Sequence, residues 1–144
     1  MNSNASIHEY ARLAYIFRQA LDDASEEIRR FDAFRLYPKG CCGDCSRLLS
    51  RFIVEHDLPE PSYILGEKVD GSSHVWLEIN NVIIDITHNQ FGEPPAVYIG
   101  GYDAPHVYLD FRVKKRERIA DEEYIDDNAY LENIYSIAKR HITS

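Results

Sequence analysis

The segment His74-Val75-Trp76-Leu77-Glu78-Ile79-Asn80-Asn81-Val82-Ile83-Ile84-Asp85-Ile86-Thr87 constrains the fold more than any other stretch of the chain. Two β-prone runs flank Asn80-Asn81, and asparagine tolerates the left-handed backbone that a two-residue turn requires. With that pair as the loop, Ile79 faces Val82, Leu77 faces Ile84 and Val75 faces Ile86, so one side of the hairpin is wholly apolar. The other side pairs Glu78 with Ile83, Trp76 with Asp85 and His74 with Thr87, which makes Asp85 the diagonal neighbour of His74. Diagonal neighbours have Cα atoms about 7 to 8 Å apart, within reach of side chains that lean together. A slip of one residue would turn the aliphatic side to water, so the register that buries it also sets His74 and Asp85 on one face. A carboxylate held on one imidazole nitrogen fixes the tautomer and raises the basicity of the other. The plainer alternative is a packed histidine and an aspartate that ends a strand.

Cys41, Cys42 and Cys45 crowd into five positions. Cysteines so close together staple nothing distant, which argues against a disulfide scaffold and for a reactive or metal-binding thiol. The positions Cys42, Cys45, Leu48, Leu49, Phe52 and Ile53 predict a helix to about His56 that begins at the cysteines. Thiolate, not thiol, attacks a carbonyl, and both a helix N-terminus and a nearby imidazolium favour thiolate. Cys42 is placed for both effects. Gly40 and Gly43 allow backbone and substrate to approach closely, and the free amides of the first turn suit an oxyanion. Asp44 favours the helix start but opposes a thiolate. Cys45 follows the apolar stripe and reads as core, and Cys41 as a small flanking residue. Two other readings stand beside this one. The three thiols could simply pack a helix end. Cys42 and Cys45 also have the spacing of half a zinc site, although His74, His88 and His106 would have to be gathered from separate strands to complete it.

The remaining pattern frames these motifs. Ile7, Tyr10, Ala11, Ala14, Phe17 and Leu21 recur at helical spacing and predict an amphipathic helix from Ser6 to about Arg30. Strands are predicted at Ser62 to Leu65, Ser73 to Ile79, Val82 to Thr87 and Ala96 to Ile99. A further strand is predicted at His106 to Val113, where Val107, Leu109, Phe111 and Val113 alternate onto one face. A closing helix from about Asp121 to Arg140 presents Tyr124, Leu131, Ile134, Tyr135 and Ala138. Helices, then strands, then a helix indicate an α+β domain with an antiparallel sheet, and a chain of 144 residues fits one such domain, 1–144.

Charge narrows the partners. Sixteen Lys and Arg against 24 Asp and Glu give a net charge of −8, which opposes the phosphate neutralisation that dominates nucleic-acid affinity. The basic run Lys114-Lys115-Arg116-Glu117-Arg118 is short, acidic residues follow it, and it reads as a solvated linker. No apolar run approaches the roughly 20 residues that cross a bilayer, and the polar start lacks the pattern of a secretion signal, so the expected compartment is the cytoplasm, with no membrane partner.

A cysteine at a helix start, a strand-borne His-x-Trp-x-Glu and an Asp-x-Thr on the next strand together resemble the transglutaminase-like branch of the papain-like cysteine enzymes. The resemblance covers Tyr37 to Phe91, through Pro38-Lys39-Gly40-Cys41-Cys42-Gly43-Asp44, His74-Val75-Trp76-Leu77-Glu78 and Asp85-Ile86-Thr87. It implies a papain-like core in which N-terminal helices, with the nucleophile at a helix start, pack on an antiparallel sheet. It implies Cys42 as nucleophile, because Cys42 rather than Cys41 matches the Gly-x-Cys-Gly-Asp arrangement of small bacterial and phage members. His74 would be general base and acid, and Asp85 the orienting carboxylate. Asp85-Ile86-Thr87-His88-Asn89-Gln90-Phe91 is similar to those members too, which makes Gln90 a pocket residue alongside Gly43 and Trp76. No cofactor is implied, and the calcium-binding loops of the animal cross-linking enzymes have no room in this chain.

The chemistry so implied begins with attack of the Cys42 thiolate on an amide carbonyl and leaves a thioester with loss of an amine. Water as acceptor makes a peptidase, amidase or glutamine deamidase, and this is the default expectation. An amine as acceptor makes a transglutaminase. The substrate would be a protein, a peptide or a small amide. Tyr98, Tyr102 and Tyr108 either line the cleft or pack. The reading from a different class is a partner-binding domain without turnover, with the acidic helix from Asp121 or the basic run as its contact surface.

Overall fold

The structure, a computed structural model, describes residues 3–102, 106–117 and 128–142. Helix α1 spans Ser3–Asp23, and a single turn α2 spans Ser25–Ile28. Tyr10, Leu13, Ala14, Phe17, Ala20 and Leu21 are buried along one stripe of α1, as a 3.6-residue period requires. Helix α3, Cys42–Glu55, opens after Cys41 and buries Cys45, Leu48, Leu49, Phe52 and Ile53 at the same spacing. Strands β1, Ser62–Glu67, β2, Ser73–Ile79, and β3, Val82–Asp85, follow. After β4, Tyr98–Gly100, a 3-10 turn at His106–Asp110 leads into β5, Arg112–Glu117. Helix α4, Ala129–Arg140, closes the described chain and buries Leu131, Ile134, Tyr135 and Ala138. The molecule is α+β, and among the described residues five strands form one sheet of order β4-β3-β2-β1-β5, every pairing antiparallel.

The central hairpin has the register that its sequence dictates. Leu77 pairs with Ile84, Glu78 with Ile83 and Ile79 with Val82. Asn80 and Asn81 have φ of 51° and 65°, the two positive values of a type I′ turn, whose twist matches that of the strands. Alternation then gives the sheet two faces. Val75, Leu77 and Ile84 meet the helices in one core. Trp76, Ile83 and Ile64 meet Tyr108 and Phe111 in a second, smaller one. Gly66 lies opposite His74 on β1, and only a missing side chain lets the indole of Trp76 cover it: a Cβ there would stand 2.6 Å from Trp76 Cη2.

Several expectations are corrected. The strand predicted at His106 to Val113 is instead the 3-10 turn followed by β5. Tyr108 and Phe111, three residues apart, are both buried in the second core while Leu109 and Val113 are exposed, so a helical spacing lay under the apparent alternation. The basic run read as a linker is, from Lys114 to Glu117, part of β5, paired with β1. Its side chains are all exposed, so it is held by backbone pairing and the Arg116–Glu78 ion pair rather than by burial, and lysines on such an edge discourage further strands from adding. Of the predicted closing helix, Ala129–Arg140 is described as α4, and the earlier part from about Asp121, including Tyr124, lies outside the described residues. The fourth strand is displaced slightly, and β3 ends at Asp85. No helix among the described residues is long and apolar enough to cross a membrane.

Candidate active site

Strand β2 turns His74, Trp76 and Glu78 toward the second core, and β3 turns Ile83 and Asp85 to the same side. The consequence is a contact: His74 Nε2 lies 2.7 Å from Asp85 Oδ2, with both side chains buried. The strand ends immediately after Asp85, which frees the next amide to turn back. Thr87 N–H donates to Asp85 Oδ1 at 2.9 Å and the Thr87 hydroxyl reaches the same oxygen at 3.3 Å. Tyr108 Oη–H donates to Oδ2 at 2.5 Å, and the same oxygen Oη lies 2.9 Å from His88 Nδ1.

These donors decide the charge state. Burial by itself would push the Asp85 carboxyl up, but the charge and hydrogen bond of His74, with Tyr108 and Thr87, hold it below the usual carboxylate range. Burial likewise works against a charged His74, yet the Asp85 carboxylate and the Cys42 thiol outweigh it and push the imidazole up to about 9. His88 goes the other way, lowered by burial with the charge of His74 adding to it and that of Asp85 opposing it.

Cys42 comes from the opposite side of the sheet. It is the first residue of α3, partly exposed, and packs against the helix core. From there its thiol adds to the basicity of the His74 imidazole. Cys41 and Cys45 are buried, their sulfurs 3.7 Å apart as free thiols, and burial holds the Cys45 thiol well above its ordinary value. Of the three, Cys42 alone combines access with an imidazole. Gly43 leaves little spare room, since a Cβ there would stand 3.0 Å from the Tyr63 hydroxyl. Asp44 accepts from the Tyr130 hydroxyl at 2.9 Å and lies 4.0 Å from Arg47. Burial raises its carboxyl against both partners, which weakens its opposition to a thiolate.

The remaining nitrogen of His74 is also engaged: Gln90 Nε2 lies 2.8 Å from Nδ1. Phe91 meets the imidazole edge-on at 4.7 Å. Lys68 Nζ lies over Phe91 and Phe111, 5.9 and 5.1 Å from their ring centres. The same lysine lines a cleft of about 260 Å³ with Glu67, Val69, Arg112 and Lys114. Trp76 differs from the pocket role that the resemblance implies. It is 0 % exposed, packs 5.9 Å from the His74 ring and donates its indole N–H to the Tyr102 hydroxyl at 3.2 Å, so it offers a ligand no surface. Tyr102 in turn donates to Glu78, whose other oxygen takes Arg116 at 2.6 Å.

His74, Asp85 and Gln90 are therefore hydrogen-bonded together, and Cys42, with Gly43 next to it, acts on the charge of the same imidazole. Sequence reasoning missed two supports of this arrangement. Tyr108 was masked by the alternation around it. Arg18, buried on α1, sends Nη1 to Ile86 O at 2.7 Å and to Asn89 Oδ1 at 2.8 Å, and its Nε to Asp22 at 2.9 Å, which pins the turn carrying Thr87 to Gln90. A cation inside an otherwise apolar helical stripe was the available signal. Among the described residues no three His, Cys, Asp or Glu side chains converge as metal ligands, and the side chain of His106 lies outside the description. Compared with family models, curated proteins and solved structures, the chain matches none.

Proposed function

We propose that this protein is a cysteine-dependent amide hydrolase with a papain-like, transglutaminase-like core, working through Cys42, His74 and Asp85 and a thioester intermediate. One observation carries the reading: a buried imidazole has a carboxylate 2.7 Å from Nε2, and the partly exposed Cys42 at a helix start is among the groups that raise the basicity of that ring. With the imidazole pushed up to about 9, the ring keeps a proton at neutral pH that it can give to a leaving group, and the thiolate form of the nucleophile is the one that attacks.

The Cys42 sulfur attacks the amide carbonyl carbon, and the carbonyl electron pair moves to oxygen. The unpaired N–H groups at the start of α3 lie at the end of the helix where that charge is best met. As the carbon–nitrogen bond breaks, His74 gives its proton to the departing amine and a thioester remains. Water, deprotonated by the now neutral His74, attacks the thioester, and the product acid leaves with the thiol restored. Asp85 stays ionised throughout, because its bonds to Thr87 and Tyr108 hold the carboxylate as it steadies the ring.

The direct test measures the alkylation rate of each cysteine against pH by peptide mass spectrometry, in the parent and in His74→Ala. The proposal expects Cys42 to react far faster than Cys45 and to lose that advantage in the variant. A Cys42 indifferent to His74 overturns it. Labelling of extracts with an amine donor then identifies the acceptor: new termini or one-dalton gains without label mean hydrolysis, and label on a defined glutamine means acyl transfer.

A further inference from the structure

A side-chain amide is a donor at one end and an acceptor at the other, and a half-turn about its last torsion exchanges the two within the same volume. Gln90 holds such an amide against His74. Its NH2 faces Nδ1 at 2.8 Å, which suits a neutral ring whose Nδ1 is a lone pair. Its carbonyl oxygen is then buried without any hydrogen-bond partner among the described residues. An orphaned buried acceptor is costly, and native interiors avoid it unless another state satisfies it. Protonation at Nδ1 creates another state, because the nitrogen becomes a donor and repels the NH2; the turn then sets the NH2 where the oxygen was, and what it gains is the hydrogen bond to a charged donor. We propose that Gln90 is a positioning residue whose amide turns over with the charge of His74, so that its carbonyl oxygen, orphaned beside the neutral ring, accepts the Nδ1 proton of the imidazolium.

The direction of the effect follows from bond strength. A hydrogen bond to a charged donor is about twice as strong as one between neutral groups, so the turned arrangement favours the protonated ring and Gln90 adds to the basicity of His74. It also gives the proton a resting place when the sulfur of Cys42 is engaged with substrate. In this last respect the inference rests on the proposed function, but the amide turn itself does not. The other groups that bear on the ring are Asp85 from β3, Cys42 from α3, His88 from the turn after β3, Tyr108 through Asp85, and Lys68 from the end of β1 across Phe91. The proposed turn leaves each of them in place.

The test is a titration of the full-length labelled protein by nuclear magnetic resonance, following the His74 ring and the Gln90 side-chain NH2 together. The NH2 resonances are expected to move with the midpoint of the ring. Gln90→Met, which fills the space without an acceptor, is expected to lower that midpoint by about one pH unit, the difference between a charged and a neutral hydrogen bond. Gln90→Glu, which keeps an acceptor oxygen, is expected to hold the midpoint at or above the parent value. A flat NH2 response through the ring titration overturns the proposal in the parent protein alone, whatever the variants do. So does an unchanged or raised midpoint in Gln90→Met, or a lowered one in Gln90→Glu. Repeating the titration in Cys42→Ala removes the thiol, so the result stands apart from whether Cys42 is a nucleophile.

Discussion

Asp85 accepts from His74, from Tyr108 and twice from Thr87, and each donor fixes a different degree of freedom of the carboxylate. Tyr108 is the most exposed to test because it also contacts His88. Removing its hydroxyl in Tyr108→Phe leaves the ring packing intact but orphans part of two buried groups, at a cost of about 1 to 3 kcal/mol. Urea denaturation is expected to register that loss, and an unchanged midpoint would mean that the hydroxyl only fills space. Asp85→Asn replaces the charge that outweighs burial at His74. Cys42 alkylation at pH 7 is expected to fall by about tenfold or more, following the 1.4 kcal/mol per pH unit that links a raised imidazole to its carboxylate. His74 and Asp85 were legible as a pair because two residues of one face are named by a period of two and one turn. Tyr108 was not, because nothing local distinguishes a phenol that packs from one that donates to a distant carboxylate.

Among the elements, the β2–β3 hairpin was readable in its turn and register, since Asn80-Asn81 and the run of aliphatics admit a single register, although the second strand stops at Asp85 rather than Thr87. Strand β5 was not readable. Its six exposed side chains carry no alternating burial, and its existence depends on the free edge of β1, which sequence periodicity does not report. The same edge explains Gly66. It sits opposite His74, under the Trp76 indole, where a methyl group would stand 2.6 Å from one ring carbon and 2.9 Å from Phe111 Cβ. Gly66→Ala is therefore expected to cost about 1 to 3 kcal/mol through overpacking. It is also expected to slow Cys42 alkylation, because the displaced indole supports the imidazole. Denaturation and alkylation measured on the same sample check both, and loss of stability with unaltered alkylation would separate Trp76 from the site.

At the scale of the whole molecule the site appears as a pH dependence of folding. His74 binds its proton more tightly folded, at about 9, than unfolded, at about 6.5. Its contribution to stability is thus complete below pH 6.5 and is lost as pH rises through 9. Asp85, lowered in the folded state, contributes above the ordinary carboxylate value of about 3.9 and loses its contribution as pH falls through its own lowered value. Urea midpoints are expected to decline between pH 6.5 and 9 in the parent, and this decline should be absent in His74→Gln. A decline of equal size in the variant would assign the effect to other groups.

The sheet has a core on each face, with Cys42 packed among the helices of one and His74 set among the aromatic rings of the other. Neither half alone holds both sulfur and imidazole. A copy of the protein still emerging from synthesis, or one whose aromatic side has come loose, carries an ordinary thiol that harms nothing around it, so under the proposed chemistry the molecule arms itself only once it is finished.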